Sequence, residues 1–111
     1  MLAQLFIVIT LVQTPEATSL FGKPLVAVPP TGEQKARDVA LKADLAKAQA
    51  DDDRDPSNAE ATIWLGRRFG YLNRFRDAID VYSRGIERHP NEARLYRHRG
   101  RSGSEAGLVE V

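Results

Sequence analysis

The stretch WLGRRFGYLNRFRDAIDVYSRGIERHP, from Trp64 to Pro90, decides how this chain folds. With the residues just before it, it divides into two segments of helical period around a turn. In the first, Ala59 to Tyr71, Thr62, Leu65, Gly66 and Phe69 recur at the i, i+3, i+4, i+7 interval that gathers side chains on one helix face. In the second, Phe75 to Arg88, the stripe is Ala78, Ile79, Tyr82, Gly85 and Ile86. Asn73 stands at the reversal between them, where a residue that tolerates the left-handed conformation is needed. Gly66, Ala78 and Gly85 are small where the rings of Phe69, Phe75 and Tyr82 need room, so the two helices are expected to face each other and approach closely.

The same residues carry a family pattern. Leu65 and Gly66 form a Leu-Gly pair, Phe69 supplies an aromatic three positions on, and Ala78, Tyr82 and Pro90 fill small, aromatic and helix-ending positions in the second helix. The stretch resembles a tetratricopeptide repeat (TPR), a helix-turn-helix unit with a period of about 34 residues. Two departures stand out: Gly85 replaces the usual Ala, and Thr62 replaces the aromatic that opens the first helix, with Trp64 displaced by two positions. An ordinary amphipathic hairpin would need only the apolar period, so the agreement at the other positions favours the repeat. The resemblance implies an all-α fold, an antiparallel helical hairpin of TPR type that is a fragment of an α-solenoid. It also implies a module that grips other polypeptides, and no enzyme.

A second unit opens at Ala93, with Tyr96 and Gly100 in the aromatic and glycine positions, and then departs: Arg99 stands where Leu is expected and Gly103 where an aromatic is. Residues 102–111 offer no apolar stripe and read as a disordered tail. A good repeat that stops inside its successor's first helix suggests a truncated or frame-shifted bacterial member of a longer repeat family.

Ahead of the repeat, Thr31 and Gln34 have capping-box spacing, and Ala36, Val39, Ala40, Ala43, Ala46 and Ala50 form a small-residue stripe. Residues 31–55 therefore read as an acidic amphipathic helix, expected to pack where a preceding repeat's second helix would lie. Ser57 and Glu60 suggest a second capping box after Pro56. Residues 20–30, with Pro24, Pro29 and Pro30, read as an extended arm or linker. Leu2 to Val12 is nearly continuously apolar, too short for a membrane span of about twenty residues, and is followed by small residues Ala17, Thr18 and Ser19. Residues 1–19 thus read as a signal peptide or hydrophobic anchor, although no Lys or Arg precedes the apolar run; a buried strand or an incorrect start is the alternative. The expected location is the periplasm or cell envelope.

The net charge is +1, yet its distribution is uneven: residues 57–101 hold ten Arg against five acids, and residues 31–56 hold seven acids against five basic residues. In TPR proteins the concave surface comes mostly from first helices. The resemblance therefore places Ile63, Arg67 and Tyr71, then Arg94, Arg97 and Arg101, on a partner-binding face, with Gly70 beside them. Guanidinium groups donate in pairs to carboxylates and stack on aromatics, so an acidic peptide would suit that face. The plainer reading of these arginines is a solvated basic face. Leu65, Gly66, Phe69, Ala78, Tyr82, Gly85 and Pro90 are structural signature positions.

Chemistry is scarce. The chain has no Cys. His89 precedes Pro90 at a helix end and reads as a cap; His98 sits in the basic run Tyr96-Arg97-His98-Arg99, which reads as exposed. Asp51, Asp53 and Asp55 alternate as in a calcium loop, but Pro56 stands where Gly is needed and Thr62 where Glu is. No catalytic residue, metal or cofactor is expected. Small repeat modules leave stacking faces uncovered, so self-association or a covering partner is expected. The alternatives are an Arg-rich cytoplasmic nucleic-acid-binding module, with Tyr71 and Tyr96 stacking on bases, and a truncated protein with no tight partner.

Overall fold

The computed structural model describes residues 17–108, in two compact units that meet in sequence after Thr31. In the first, strands β1 (Ala17–Thr18) and β2 (Pro24–Leu25) pair antiparallel, Ala17 opposite Leu25 and Thr18 opposite Pro24. Gly22, with φ 76°, supplies the left-handed residue of the tight turn, whose backbone closes from Ser19 N–H to the Lys23 carbonyl at 2.7 Å. The reading of residues 20–30 as a plain extended arm is corrected to this extent: its first half returns as a small hairpin. The signal or anchor reading of residues 1–19 falls almost entirely outside the described residues. Among the described residues no helix is long and apolar enough to cross a membrane.

The second unit is all-α: α1 (Gly32–Arg54), α2 (Ala59–Tyr71), α3 (Phe75–Arg88) and α4 (Ala93–Glu105). Each helix packs on its neighbour in sequence, and α2 also touches α4. The connections, residues 55–58, 72–74 and 89–92, are short enough that successive helices must run antiparallel. The α2–α3 boundaries coincide with those read from the apolar period, and Asn73 does adopt a positive φ, 58°. The N-cap of α2 is Asn58 rather than Ser57. Its Oδ1 accepts from Glu60 N–H at 3.1 Å and Ala61 N–H at 3.4 Å, whereas Ser57 Oγ donates to Asp55 at 2.6 Å.

Two small apolar clusters form the core. One joins Ile63, Ala78, Tyr82 and Leu95; the other joins Ala48, Leu65 and Val81; the ring of Phe69 packs against both. Gly66 lies under the Tyr82 ring, the expected small-against-large contact, but Gly85 faces Thr62 and Leu95 rather than an aromatic. Helix α4 corrects the sequence reading. Residues 102–105 continue the helix and Ser102 is buried, so the disordered-tail reading fails up to Glu105. Its anchor is Leu95, fully buried, and a single well-placed residue leaves no periodic stripe to read.

Helix α1 is long and mostly solvated, with only Ala48 and Asp52 buried. Asp51 and Asp53 accept hydrogen bonds from Lys47 and Gln49 within the helix. Asp52 instead turns inward and accepts from Thr62 Oγ1 at 2.6 Å, with Arg88 Nη1 at 3.8 Å from the same oxygen. This buried bond ties α1 to α2. Thr62→Val keeps the side-chain shape and removes the donor, leaving a buried carboxylate short of a partner. A loss of about 1.5 kcal/mol in urea unfolding is expected, by the usual worth of a hydrogen bond to a charged group. In the Asp52→Ala background the same change should have much less effect; equal effects in both backgrounds would show that the bond contributes nothing.

Candidate functional site

Helices α2, α3 and α4 enclose a groove of about 530 Å³ whose walls include Arg67 and Tyr71 from α2, Tyr82 from α3, and His98, Arg101 and Glu105 from α4. One acid against two arginines leaves it electropositive. Arg67 lies along α2, where its guanidinium sits 4.3 Å from the Trp64 ring centroid and donates to Tyr71 Oη at 2.9 Å. Both aromatic neighbours are on Arg67's own helix, at the spacing that brings side chains to one face. The guanidinium is thus held in place while donors remain for a ligand.

Below it, the Tyr82 ring stacks on His98, centroids 5.6 Å apart and planes 20° off parallel. Burial pushes the Tyr82 phenol up to about 12, so it stays neutral. His98 is half-buried rather than exposed; burial first, then the charges of Arg67, Arg97, Arg101 and Arg94, hold its imidazole below the ordinary value of 6.5. A depressed histidine value means the unfolded chain takes up the proton more readily. Stability is therefore full above about pH 6.5 and declines as pH falls through that value. The depressed carboxyls of Asp51 and Glu92, held down chiefly by hydrogen bonds from Lys47 and Arg94, act only at more acidic pH. The urea midpoint should accordingly drop between pH 7.5 and pH 5.5 (chosen to bracket the histidine value) and should stay level in His98→Phe, which preserves the stack. An unchanged midpoint in the parent would contradict the assignment.

Of the residues expected on the binding face, the structure brings together Arg67, Tyr71 and Arg101. Ile63 is corrected: it is 2% exposed, inside the core, because α3 and α4 cover that face of α2 and set it among Ala78, Tyr82 and Leu95. Arg94 is engaged within the molecule. It pairs with Glu92 at 2.9 Å and with Glu60 at 2.7 Å, which raises its guanidinium value further. Arg97 is exposed on α4, away from the groove walls. Missed in the sequence were Tyr82 and His98 as groove residues: Tyr82 was read as a signature position, and the signal that pairs it with His98 is tertiary. His89 is the C-cap residue of α3, where its backbone N–H donates to the Gly85 carbonyl at 2.8 Å; its Nε2 is buried and has no hydrogen-bond partner among the described residues, so the imidazole does not cap through that atom.

The fold and the groove define an all-α protein of stacked helices with an arginine- and tyrosine-walled cleft. No family model matches the chain, and neither a curated protein nor a solved structure matches it.

Proposed function

We propose that this chain is a non-enzymatic protein-interaction module of the TPR type, exported to the cell envelope, which takes an acidic peptide segment in the groove between α2, α3 and α4. The observation that carries the reading is the groove itself: Arg67 fixed between Trp64 and Tyr71, facing Arg101 and the Tyr82–His98 stack. An extended peptide would set carboxylates on the guanidinium groups and apolar side chains on the rings. The repeat reading is supported by the helix lengths as well as the signature residues. Shifted by 34, the spacing of the Arg94–Glu60 pair, α2 falls on α4 with matching ends, and the C-terminal end of α1 at Arg54 falls on that of α3 at Arg88.

Fluorescence anisotropy with a labelled Asp- and Glu-containing peptide, and with its Asn and Gln counterpart, tests this. The acidic peptide should bind, the amide peptide should bind much more weakly, and Arg67→Ala or Arg101→Ala should each weaken binding by about tenfold or more, as for lost charge-assisted hydrogen bonds. Equal binding of both peptides, or indifference to both Arg variants, would overturn the reading. Tighter binding of a single-stranded oligonucleotide, collapsing steeply with salt, would favour a nucleic-acid role instead.

A further inference from the structure

The 34-residue shift relates contacts as well as helix ends. Helix α2 sits on a seat made by α3 and α4: Gly66 meets Tyr82, Thr62 meets Gly85, Ile63 packs with Ala78 and Leu95, and Glu60 pairs with Arg94. Moved back by 34 positions, the seat residues Ala78, Tyr82 and Gly85 become Asp44, Ala48 and Asp51 of α1. Arg94, Leu95 and His98 become Glu60, Ala61 and Trp64 of α2. Those six residues line a second groove, of about 550 Å³, between α1 and α2. It is a separate surface from the Arg67–Tyr71 groove, and its lining is the repeat equivalent of the seat that holds α2.

The helix that fits stands one repeat beyond α2. In α4, Tyr96, Arg97 and Gly100 occupy the register of Thr62, Ile63 and Gly66. Tyr96 is 43% exposed, Arg97 is exposed, and a Cβ added at Gly100 would meet nothing within 4 Å. Charge agrees with register: α4 holds Arg94, Arg97, Arg99 and Arg101 against the single acid Glu105. The groove holds Asp44, Asp51, Asp55 and Glu60 against Lys47, Arg54 and Arg68.

We propose that the chain associates head to tail, α4 of one copy seating in the α1–α2 groove of the next. In the register of the repeat, Arg97 falls over Asp44, Tyr96 over Asp51, and Gly100 over Ala48, where small residues on both sides let the helices close. The contact joins two different surfaces, so each added copy leaves both surfaces free at the ends and growth is open. The inference does not depend on the peptide reading.

Sedimentation velocity of the full chain over a wide concentration series, at low and high salt, tests it. The weight-average mass should climb without a plateau and fall as salt rises. Asp44→Arg spoils the seat and Arg97→Glu spoils the helix; each should weaken association at least about tenfold, because like charges then face each other. Both positions are exposed and circular dichroism should be unchanged; Asp51→Arg is a second seat variant. Mixing Asp44→Arg with Arg97→Glu restores both contacts, because Arg97 of the first meets Asp44 of the second and the introduced carboxylate of the second meets the introduced guanidinium of the first. The mixture should therefore regain open growth by alternation, although neither variant grows alone. A monomer at every concentration, a plateau at the dimer for the parent chain, or no recovery of association in the mixture would each overturn the proposal.

Discussion

Leu95→Ala should lower the unfolding free energy by about 3 kcal/mol, the sum of lost transfer energy and the cavity left behind. The unit's total stability is expected to be only several kcal/mol, so this loss is severe. Leu95 has no exposed surface, and it packs among Ile63, Ala78 and Tyr82. The residues buried in α4 are Leu95 and Ser102 alone. The other ties of α4 include the stack of His98 on Tyr82 and the exposed pair of Arg94 with Glu60, and an exposed ion pair contributes little. Without its anchor α4 should detach before the rest unfolds. Hydrogen exchange would show protection lost first along Ala93–Glu105, together with a lower urea midpoint. Full protection of α4 in the variant would mean that the helix is held by something other than Leu95.

A glycine-to-alanine change supplies the second large effect, through a contest of sign. In an open helical position Ala is favoured over Gly by about 1 kcal/mol. Gly70 in α2 is such a position, since a Cβ there meets nothing within 4 Å. At Gly66, on the preceding turn, a Cβ would overlap the Tyr82 ring. That ring is 2% exposed and stacked on His98, so moving it aside towards the groove gives up the packing and the stack that hold it. Overpacking of this kind costs up to about 3 kcal/mol and outweighs the propensity gain. Gly70→Ala should therefore stabilise and Gly66→Ala destabilise, a spread of about 3 kcal/mol between neighbouring turns of one helix. Thermal unfolding of the two variants measures it. In a Tyr82→Ala background the penalty at Gly66 should vanish, and its persistence there would show that Tyr82 is not the obstacle.

The hairpin was legible because two local signals agree. The apolar period sets the lengths of α2 and α3, and Asn73 marks a turn that requires a positive φ. The resemblance then misled at Ile63, which it set on the binding face. It leaves that face of α2 open, yet α2 packs on α3 and α4 as well as on α1, and Ile63 is buried among Ala78, Tyr82 and Leu95. Asp52 was not singled out, because nothing local separates it from Asp51 and Asp53; its buried partner Thr62 lies ten positions on. The end of α4 was missed for a related reason. The helix is held chiefly by Leu95 and by the ring stack of His98 on Tyr82, contacts that leave no period in its own sequence.

In the candidate site the arginines were legible as composition, but their roles were not. Arg67 and Arg94 have the same chemistry and occupy positions in equivalent helices. One is braced by aromatic rings at a cleft, and the other is taken up by Glu60 and Glu92. Only the neighbours in reach, rings at one and acids at the other, distinguish them.

The order of packing, each helix on the next, also bears on how the chain reaches this structure. Docking α3 on α2 closes only residues 72–74, and docking α4 on α3 only residues 89–92. The chain entropy lost at each step is small. A topology with such near-neighbour contacts folds in microseconds to milliseconds. The α2–α3 hairpin, with the densest apolar pairing and a turn shaped by Asn73, is the natural nucleus, from which order spreads outward to α1 and α4.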